Sequence, residues 1–223
     1  MNLFAVIPAY NADNTIARVI HGCVAQLPSE NVIVVDDGSS DRTRRLVEQS
    51  GATIIVHKKN IGKGAGLRSG FTAALKNGCD GVITLDADLQ HDPASIPQFI
   101  EAAEANPDWG IIIGTRWRSG SEMPWDRRLS NKLTSFMLSL RAGQKISDSQ
   151  SGYRFIRRNV MENVITKEDG FMAESEILIR AAIGGYKIGS VEIPTIYSDE
   201  GSHINKFSDT FKFISLYVRS IFW

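Results

Sequence analysis

Along the chain, short apolar runs alternate with longer stretches in which apolar residues recur at helical spacing. Leu3-Phe4-Ala5-Val6-Ile7, Val32-Ile33-Val34-Val35, Ala52-Thr53-Ile54-Ile55-Val56, Val82-Ile83-Thr84-Leu85 and Gly110-Ile111-Ile112-Ile113-Gly114 are nearly continuous and show no in–out alternation. Such runs predict strands covered on both faces. Between them, Ile16, Val19, Ile20, Cys23 and Leu27 repeat as one helix face, as do Leu67, Phe71, Ala74 and Leu75, and then Ile96, Phe99, Ile100 and Ala103. Asn11 or Asp13 is expected to cap the first helix, and Asp41 the helix after the second strand. The order β-α-β-α-β-α-β-α-β predicts an α/β fold. Its sheet is Rossmann-like and mostly parallel, with helices on both faces and right-handed crossovers.

Beyond residue 118 the pattern is less regular. Leu129, Leu133, Phe136, Met137 and Leu140 form a helix stripe. The polar turn Asp148 to Arg154 leads into a short strand, Tyr153 to Ile156. Ile177, Leu178 and Ala181 lie on a helix that stops at Gly184-Gly185, an ordinary glycine C-terminal signal. Lys187 to Ile196 is strand-like, interrupted by Pro194. From Phe207, the residues Phe211, Ile214, Val218, Ile221 and Phe222 make a wide stripe, with Lys212 and Arg219 among the polar positions and rings at Tyr217 and Trp223. No linker rich in Pro, Gly or Ser separates these parts. A single domain is expected, with halves at 1–118 and 119–206 and an amphipathic helix at 207–223.

Composition narrows the classes. Lys+Arg and Asp+Glu are 25 each, so no basic field argues for nucleic acid. Cys23 and Cys79 sit in apolar segments without metal-ligand spacing and read as core residues of a reducing compartment. The first residues lack basic side chains and are cut by Pro8, unlike a secretory signal. No stretch is long and apolar enough to span a bilayer. A cytoplasmic location is expected.

The candidate chemistry begins where the fourth strand runs into Asp86-Ala87-Asp88-Leu89-Gln90-His91-Asp92-Pro93. Burying an unpaired charge is costly, so an acidic pair is a poor end for a core strand unless a cation waits there. Asp86, Asp88 and Gln90 offer three oxygen donors at alternate positions, which suits a hard divalent ion that keeps sites free for phosphates. The competing reading is a turn with acidic caps. The second strand also discharges into acid, at Asp36-Asp37. Ligands of parallel sheets lie at the carboxyl ends of the strands, where Tyr10, Asp37, Asp86, Asp88 and Arg116 fall. In Asn60-Ile61-Gly62-Lys63-Gly64-Ala65-Gly66 the lysine precedes Gly64 and no Ser or Thr follows it, unlike a phosphate loop. Its glycines suit close helix-to-strand packing, with Lys63 or Arg68 near an anionic ligand. His91 reads as a loop cap or acceptor-side group, with metal ligation as the alternative. His21 and His57 read as surface positions without function.

Pro8-Ala9-Tyr10-Asn11, Val34 through Thr43, Asn60-x-Gly62-Lys63-Gly64 with Arg68, Asp86-Ala87-Asp88, Gly114-Thr115-Arg116, and Asp148 through Arg154 occur in this order. Together they resemble a family 2 glycosyltransferase, and within that family the dolichyl-phosphate mannose synthase group. The resemblance covers almost the whole chain. It implies a glycosyltransferase A fold, a UDP- or GDP-sugar donor, Mg²⁺ or Mn²⁺, and inversion at the anomeric carbon. It implies that Pro8, Tyr10, Val35 and Asp37 line the base and ribose pocket, in a nucleotide-sugar-binding half at 1–118. The Asp86-Ala87-Asp88 segment would meet the ribose and the metal-bound diphosphate, Gln90 would be a third metal ligand, and Arg116 would approach the diphosphate or sugar. Ala12 stands where the mannose synthases carry an acidic residue, so the resemblance does not single out GDP-mannose.

The acceptor is expected to bind the half at 119–206. An alcohol acceptor needs a general base, and Asp148, then Glu176, are the candidates. A phosphate acceptor is already anionic and needs none. Asp148 would then hold its loop or orient Arg154, which with Lys206 or Arg157 would bind the phosphate. The C-terminal stripe either packs on the core or lies in a membrane interface. The second case makes the protein peripheral on the inner face of the membrane and puts a polyprenyl phosphate at the site. A sugar hydroxyl of a cell-surface glycan or lipid-linked oligosaccharide is the alternative acceptor. Readings from other classes are a dinucleotide-dependent oxidoreductase and a non-catalytic nucleotide-sugar-binding module.

Overall fold

The computed structural model describes residues 1–116, 125–164, 166–194 and 206–223, apart from the side chains of 125–127 and 206–209. Among these residues, seven strands form one sheet: β1 (Leu3–Ala9), β2 (Val32–Asp36), β3 (Thr53–Val56), β4 (Gly81–Thr84), β5 (Trp109–Thr115), β6 (Arg154–Arg157) and β7 (Lys187–Glu192). Their spatial order is β3-β2-β1-β4-β6-β5-β7. β1 to β4 pair in parallel, and β7 runs parallel to β5. β6 lies antiparallel between β4 and β5, with Arg154 beside both Thr84 and Ile113. β4 and β5 are therefore not neighbours, contrary to the simplest parallel reading. The reason lies in the approach of the chain: it returns along the carboxyl ends of β4 and β5 and enters the gap from there. The strand-like tract 187–196 is a strand to Glu192, and Ile196 lies outside the described residues.

Helices cover both faces. α1 (Ile16–Val24), α2 (Thr43–Glu48) and α4 (Ile96–Ala105) pack on one side through residues such as Ile16, Ile20, Val47, Ile96 and Phe99. α3 (Lys63–Lys76), α5 (Trp125–Ala142), α6 (Arg158–Asn163), α7 (Met172–Ile183) and α8 (Lys206–Ser220) pack on the other through Leu67, Leu138, Val160, Leu178 and Leu216. Neither Asn11 nor Asp13 caps α1, which begins beyond a turn closed by the Thr15 and Ile16 N–H groups on the Ala12 carbonyl. Asp41 does accept the N–H of Thr43, the first residue of α2. Both cysteines are buried thiols.

α5 departs from the usual arrangement. Its stripe residues Leu129, Leu133, Phe136 and Leu140 are 61, 58, 60 and 62 % exposed. The face turned inward carries Asn131, Ser135 and Leu138 instead. Ser135 Oγ lies 3.1 Å from Asn131 Oδ1 and 3.0 Å from Ser149 Oγ, and it accepts the Ser149 N–H (2.9 Å). The polar face of α5 is thus buried because the 148–149 loop supplies its hydrogen-bond partners. α8 divides similarly. It packs through Phe213, Leu216 and Ser220, while the stripe residues Phe211, Ile214, Val218, Ile221 and Phe222 remain exposed. Arg141 of α5 donates to the Ser220 carbonyl and hydroxyl, which ties the two helices together. Among the described residues no helix is long and apolar enough to cross a membrane.

Candidate active site

The site is built at the carboxyl ends of β1, β2, β4 and β5. β4 stops at Thr84, whose hydroxyl donates to the Gly152 carbonyl (2.7 Å). That bond sets the acidic segment against the 149–154 loop. Asp86 forms an ion pair with Lys63, the first residue of α3. Lys63 Nζ also reaches Glu174 Oε1 at 3.1 Å. Burial disfavours the charged Asp86, but the Lys63 ammonium overrides it and lowers the pKa to about 2. Burial likewise opposes the Lys63 charge, and its two carboxylate partners still raise its pKa above the ordinary lysine value. Asp88 Oδ1 accepts the Gln90 N–H (3.0 Å). Its pKa is raised, first by burial and then by the Asp86 charge. Gln90 thus reaches Asp88 through its backbone, and its side-chain amide makes no hydrogen bond among the described residues.

Gly152 is where these groups converge. A Cβ there would lie 2.7 Å from Asp86 Oδ2, 2.9 Å from Lys63 Nζ and 3.0 Å from Glu174 Oε1. Only glycine leaves that hollow open. His91 is buried, and its Nδ1 accepts the Asp86 N–H (3.2 Å). Burial lowers its pKa to about 4 against the pull of Asp86. A ring nitrogen that accepts from backbone is a loop cap, which is the role the sequence suggested.

Arg116 follows β5 and is clamped. Its Nε and Nη2 donate to Asp148 Oδ2 (2.9 Å) and Oδ1 (3.0 Å), and Asn131 Nδ2 adds a third bond to Oδ1 (2.7 Å). Asp148 is fully buried; burial works to raise its pKa, but its Arg116 partner leaves it lowered. This corrects the expectation that Asp148 is a general base, since a base must reach the proton it takes. It is an anchor for Arg116 instead.

The other acceptor-side expectations change as well. Arg154 is buried and donates to three carbonyls, of Ser151 (2.8 Å), Glu174 (2.7 Å) and Ser149 (2.8 Å), so it pins the loop and is not presented to a phosphate. Arg157 bonds the Trp109 and Asn106 carbonyls at the far end of the sheet. Glu176 is buried and accepts the Lys167 and Glu168 N–H groups (2.8 Å each) and Arg180 Nε (2.8 Å), so it orders the 166–168 segment and cannot serve as a base. The side chain of Lys206 lies outside the described residues.

On the donor side, Tyr10 is exposed beyond β1, Pro8 is partly buried, and Ala87 packs against the core. Val35 has no exposed surface and belongs to the core, a correction to its expected place in the lining. Asp37 sits just past β2. It accepts from His57 Nδ1 (2.6 Å), from Gly62 N–H (2.7 Å) and from Ile61 N–H (3.1 Å to each oxygen). His57 is therefore not a surface residue. The glycine-rich loop packs closely, as expected: a Cβ on Gly70 would meet Val6 at 2.3 Å, and one on Gly64 would meet the Glu168 carbonyl at 2.3 Å. Arg68 donates to that carbonyl (2.8 Å) and pairs with Asp169, away from Asp86. Sequence reasoning missed His57, Ser69, Asn131 and Glu174. Only His57 carried a signal, since it directly follows a strand on the ligand side of the sheet.

A mostly parallel sheet ending in an acidic pair, a lysine and a clamped arginine is the frame of an A-type glycosyltransferase. The fold agrees. Superposition on glucosyl-3-phosphoglycerate synthase from Mycobacterium tuberculosis in complex with UDP gives a TM-score of 0.78 at 19 % identity, covering 98 % of this chain and 79 % of that one. Other crystal structures of that synthase are complexes with Mn²⁺ and UDP or with Mg²⁺ and UDP. Residues 4–165 match the family model of glycosyl transferase family 2, and the chain belongs to that family. The protein is an enzyme of the glycosyltransferase class. It is 31 % identical over 202 residues to an uncharacterized protein of Methanocaldococcus jannaschii, covering 88 % of this chain and 82 % of the other. It is 29 % identical to UDP-N-acetylglucosamine–dolichyl-phosphate N-acetylglucosaminyltransferase of Methanococcus voltae, covering 88 and 86 %. It is 28 % identical to polyprenol monophosphomannose synthase of Mycolicibacterium smegmatis, covering 91 and 80 %.

Proposed function

We propose that the protein transfers a sugar, with inversion, from a nucleoside-diphosphate sugar to a polyprenyl phosphate at a membrane surface. The observation that carries this reading is the outward apolar face of α5. Its polar face holds the 148–149 loop, and with it the Arg116 clamp, through Asn131–Asp148 and Ser135–Ser149, so the helix that braces the site also carries the apolar stripe on its outer side. α5 has four basic residues and one acidic, and α8 has three and one, in a chain of zero net charge. Apolar stripes flanked by cations suit the surface of an anionic bilayer. The relatives from M. voltae and M. smegmatis, named for dolichyl-phosphate and polyprenol substrates, support the same acceptor class.

The chemistry follows from the groups at the strand ends. Breaking the donor's anomeric bond puts negative charge on the departing diphosphate. Arg116, held at a fixed angle by Asp148, supplies positive charge that needs no reorganisation. The Asp86 charge raises the pKa of Asp88, so the two carboxylates lie close enough for a hard cation to relieve their repulsion. Mg²⁺ or Mn²⁺ on Asp86 and Asp88 would supply Lewis acidity toward the diphosphate. Lys63 keeps Asp86 ionised for that task. An acceptor phosphate brings its own negative charge, and both carboxylates first considered as bases are committed to other partners. The test is transfer of radiolabelled sugar from a panel of UDP- and GDP-sugars, with Mn²⁺, into phosphatidylglycerol vesicles carrying undecaprenyl phosphate. The expected product partitions into organic solvent. Label that appears only on soluble glycans, or full turnover in excess chelator, would refute the reading.

A further inference from the structure

Asp37, His57 and Ser69 form a hydrogen-bonded row beneath the donor pocket. His57 follows β3, and its N–H donates to the Asp36 carbonyl (2.9 Å), which fixes the ring beside the end of β2. Its Nδ1 lies 2.6 Å from Asp37 Oδ1 and its Nε2 lies 2.9 Å from Ser69 Oγ on α3. The side chains of His57 and Asp37 are only 11 and 5 % exposed. The order carboxylate, imidazole, hydroxyl is that of an acyl-transfer triad. Here it cannot act as one. Ser69 lies inside α3, where neighbouring N–H groups belong to the helix and leave no oxyanion site.

The row does something else. An ionised carboxylate offers about four lone-pair positions and no hydrogen. Three protein donors, His57 Nδ1, Ile61 N–H and Gly62 N–H, converge on Asp37. The Ile61 N–H is shared between the two oxygens at 3.1 Å each, so three hydrogens meet about four lone-pair positions, and one further donor is accommodated when that shared bond settles on a single oxygen. Uracil and guanine both carry a ring N–H at their pairing edge, whereas cytosine carries none. We infer that His57 is a positioning residue for donor recognition: it holds Asp37 so that the remaining lone pair is presented to the ring N–H of the base. Ser69 sets the far end of the ring and thereby the direction of its Nδ1–H. The inference rests on the reading that a nucleoside-diphosphate sugar binds at these strand ends.

Two replacements separate the ends of the imidazole. An Asn amide can reach Asp37 as Nδ1 does, and a Gln amide can reach Ser69 as Nε2 does. The measurement is calorimetric binding of UDP, GDP, CDP and inorganic pyrophosphate to the full chain with Mn²⁺. Wild-type protein is expected to prefer UDP or GDP to CDP. His57→Ala should weaken the preferred nucleotide tenfold or more and change pyrophosphate binding less than twofold. His57→Asn should recover most of the loss, and His57→Gln should not. If His57→Ala fails to fold, the Asn and Gln variants decide between themselves. Unchanged nucleotide affinity in His57→Ala, an equal loss for pyrophosphate, or recovery by Gln and not by Asn would each overturn the inference. Wild-type protein that binds UDP and GDP no better than pyrophosphate would instead sink the donor-site reading beneath it.

Discussion

α3 and α5 flank the same face of the sheet and treat it in opposite ways. α3 buries Leu67 and Ala74 and lays Gly70 against Val6 of β1. α5 buries an asparagine and a serine and turns four large apolar residues outward. The difference teaches what each helix is for. The donor side needs a rigid platform, because Lys63 and the Asp37 clamp must hold their positions. On the proposed acceptor side the polar face braces a loop, and the apolar face is exposed, as the proposed membrane contact requires.

The largest expected effect falls on the platform. Asp86→Ala or Asp88→Ala should lower kcat about 10³-fold, the loss of several kcal/mol of charge stabilisation. Sugar transfer assayed on protein with unchanged circular dichroism checks this. A drop below tenfold would mean that the acidic pair is only a turn. The Arg116–Asp148 clamp comes next. Asp148→Asn should cost roughly 3–5 kcal/mol of stability, because the fully buried partner of an ion pair is lost. In a double-mutant cycle with Arg116→Ala the two losses should not add. Additive losses would return Asp148 to an independent role as a base. The core comparison is third. Leu138→Ala on the inner side of α5 should cost about 2–5 kcal/mol in urea unfolding, whereas Leu133→Ala on the outer side should stay within about 0.5 kcal/mol. Similar values for the two would erase the contrast between faces. The smallest effect concerns the surface itself. Leu133→Asp with Phe136→Asp should weaken sedimentation with phosphatidylglycerol vesicles about tenfold or more, the scale of one or two buried side chains, with folding unchanged. If that pair instead dissociates a dimer and vesicle binding is untouched, a second copy of the chain covers the face.

The strands and the first four helices could be read from the sequence because apolar runs buried on both faces leave little choice of structure. The stripe of α5 was just as legible, but period alone reports that a helix is two-faced, not which face is covered. The answer depended on Asn131 and Ser135 meeting the 148–149 loop, contacts that join distant parts of the chain. Arg154 shows the same limit from the side of charge. Its sequence neighbours suggest a phosphate contact, yet three carbonyls surround it once the loop closes. Glu174 gave no signal at all, since only the fold brings it to Lys63. His57 was passed over for a related reason: its partners, Asp37 and Ser69, come from other elements.

β6 bears on how the enzyme is assembled during synthesis. Because it lies between β4 and β5, the strands that carry Asp86 and Arg116 are separated by a third strand that leaves the ribosome some forty residues after Arg116. A nascent chain that has emerged only as far as β5 has β4 with one edge unpaired and no means of setting the spacing of the two charges. Exposed edges of that kind recruit other strands. The two halves are thus interlocked, and a fragment cut near residue 118 is expected to aggregate instead of behaving as a nucleotide-binding module. Competence for the reaction arrives late in translation, when residues 154–157 fill the gap between β4 and β5.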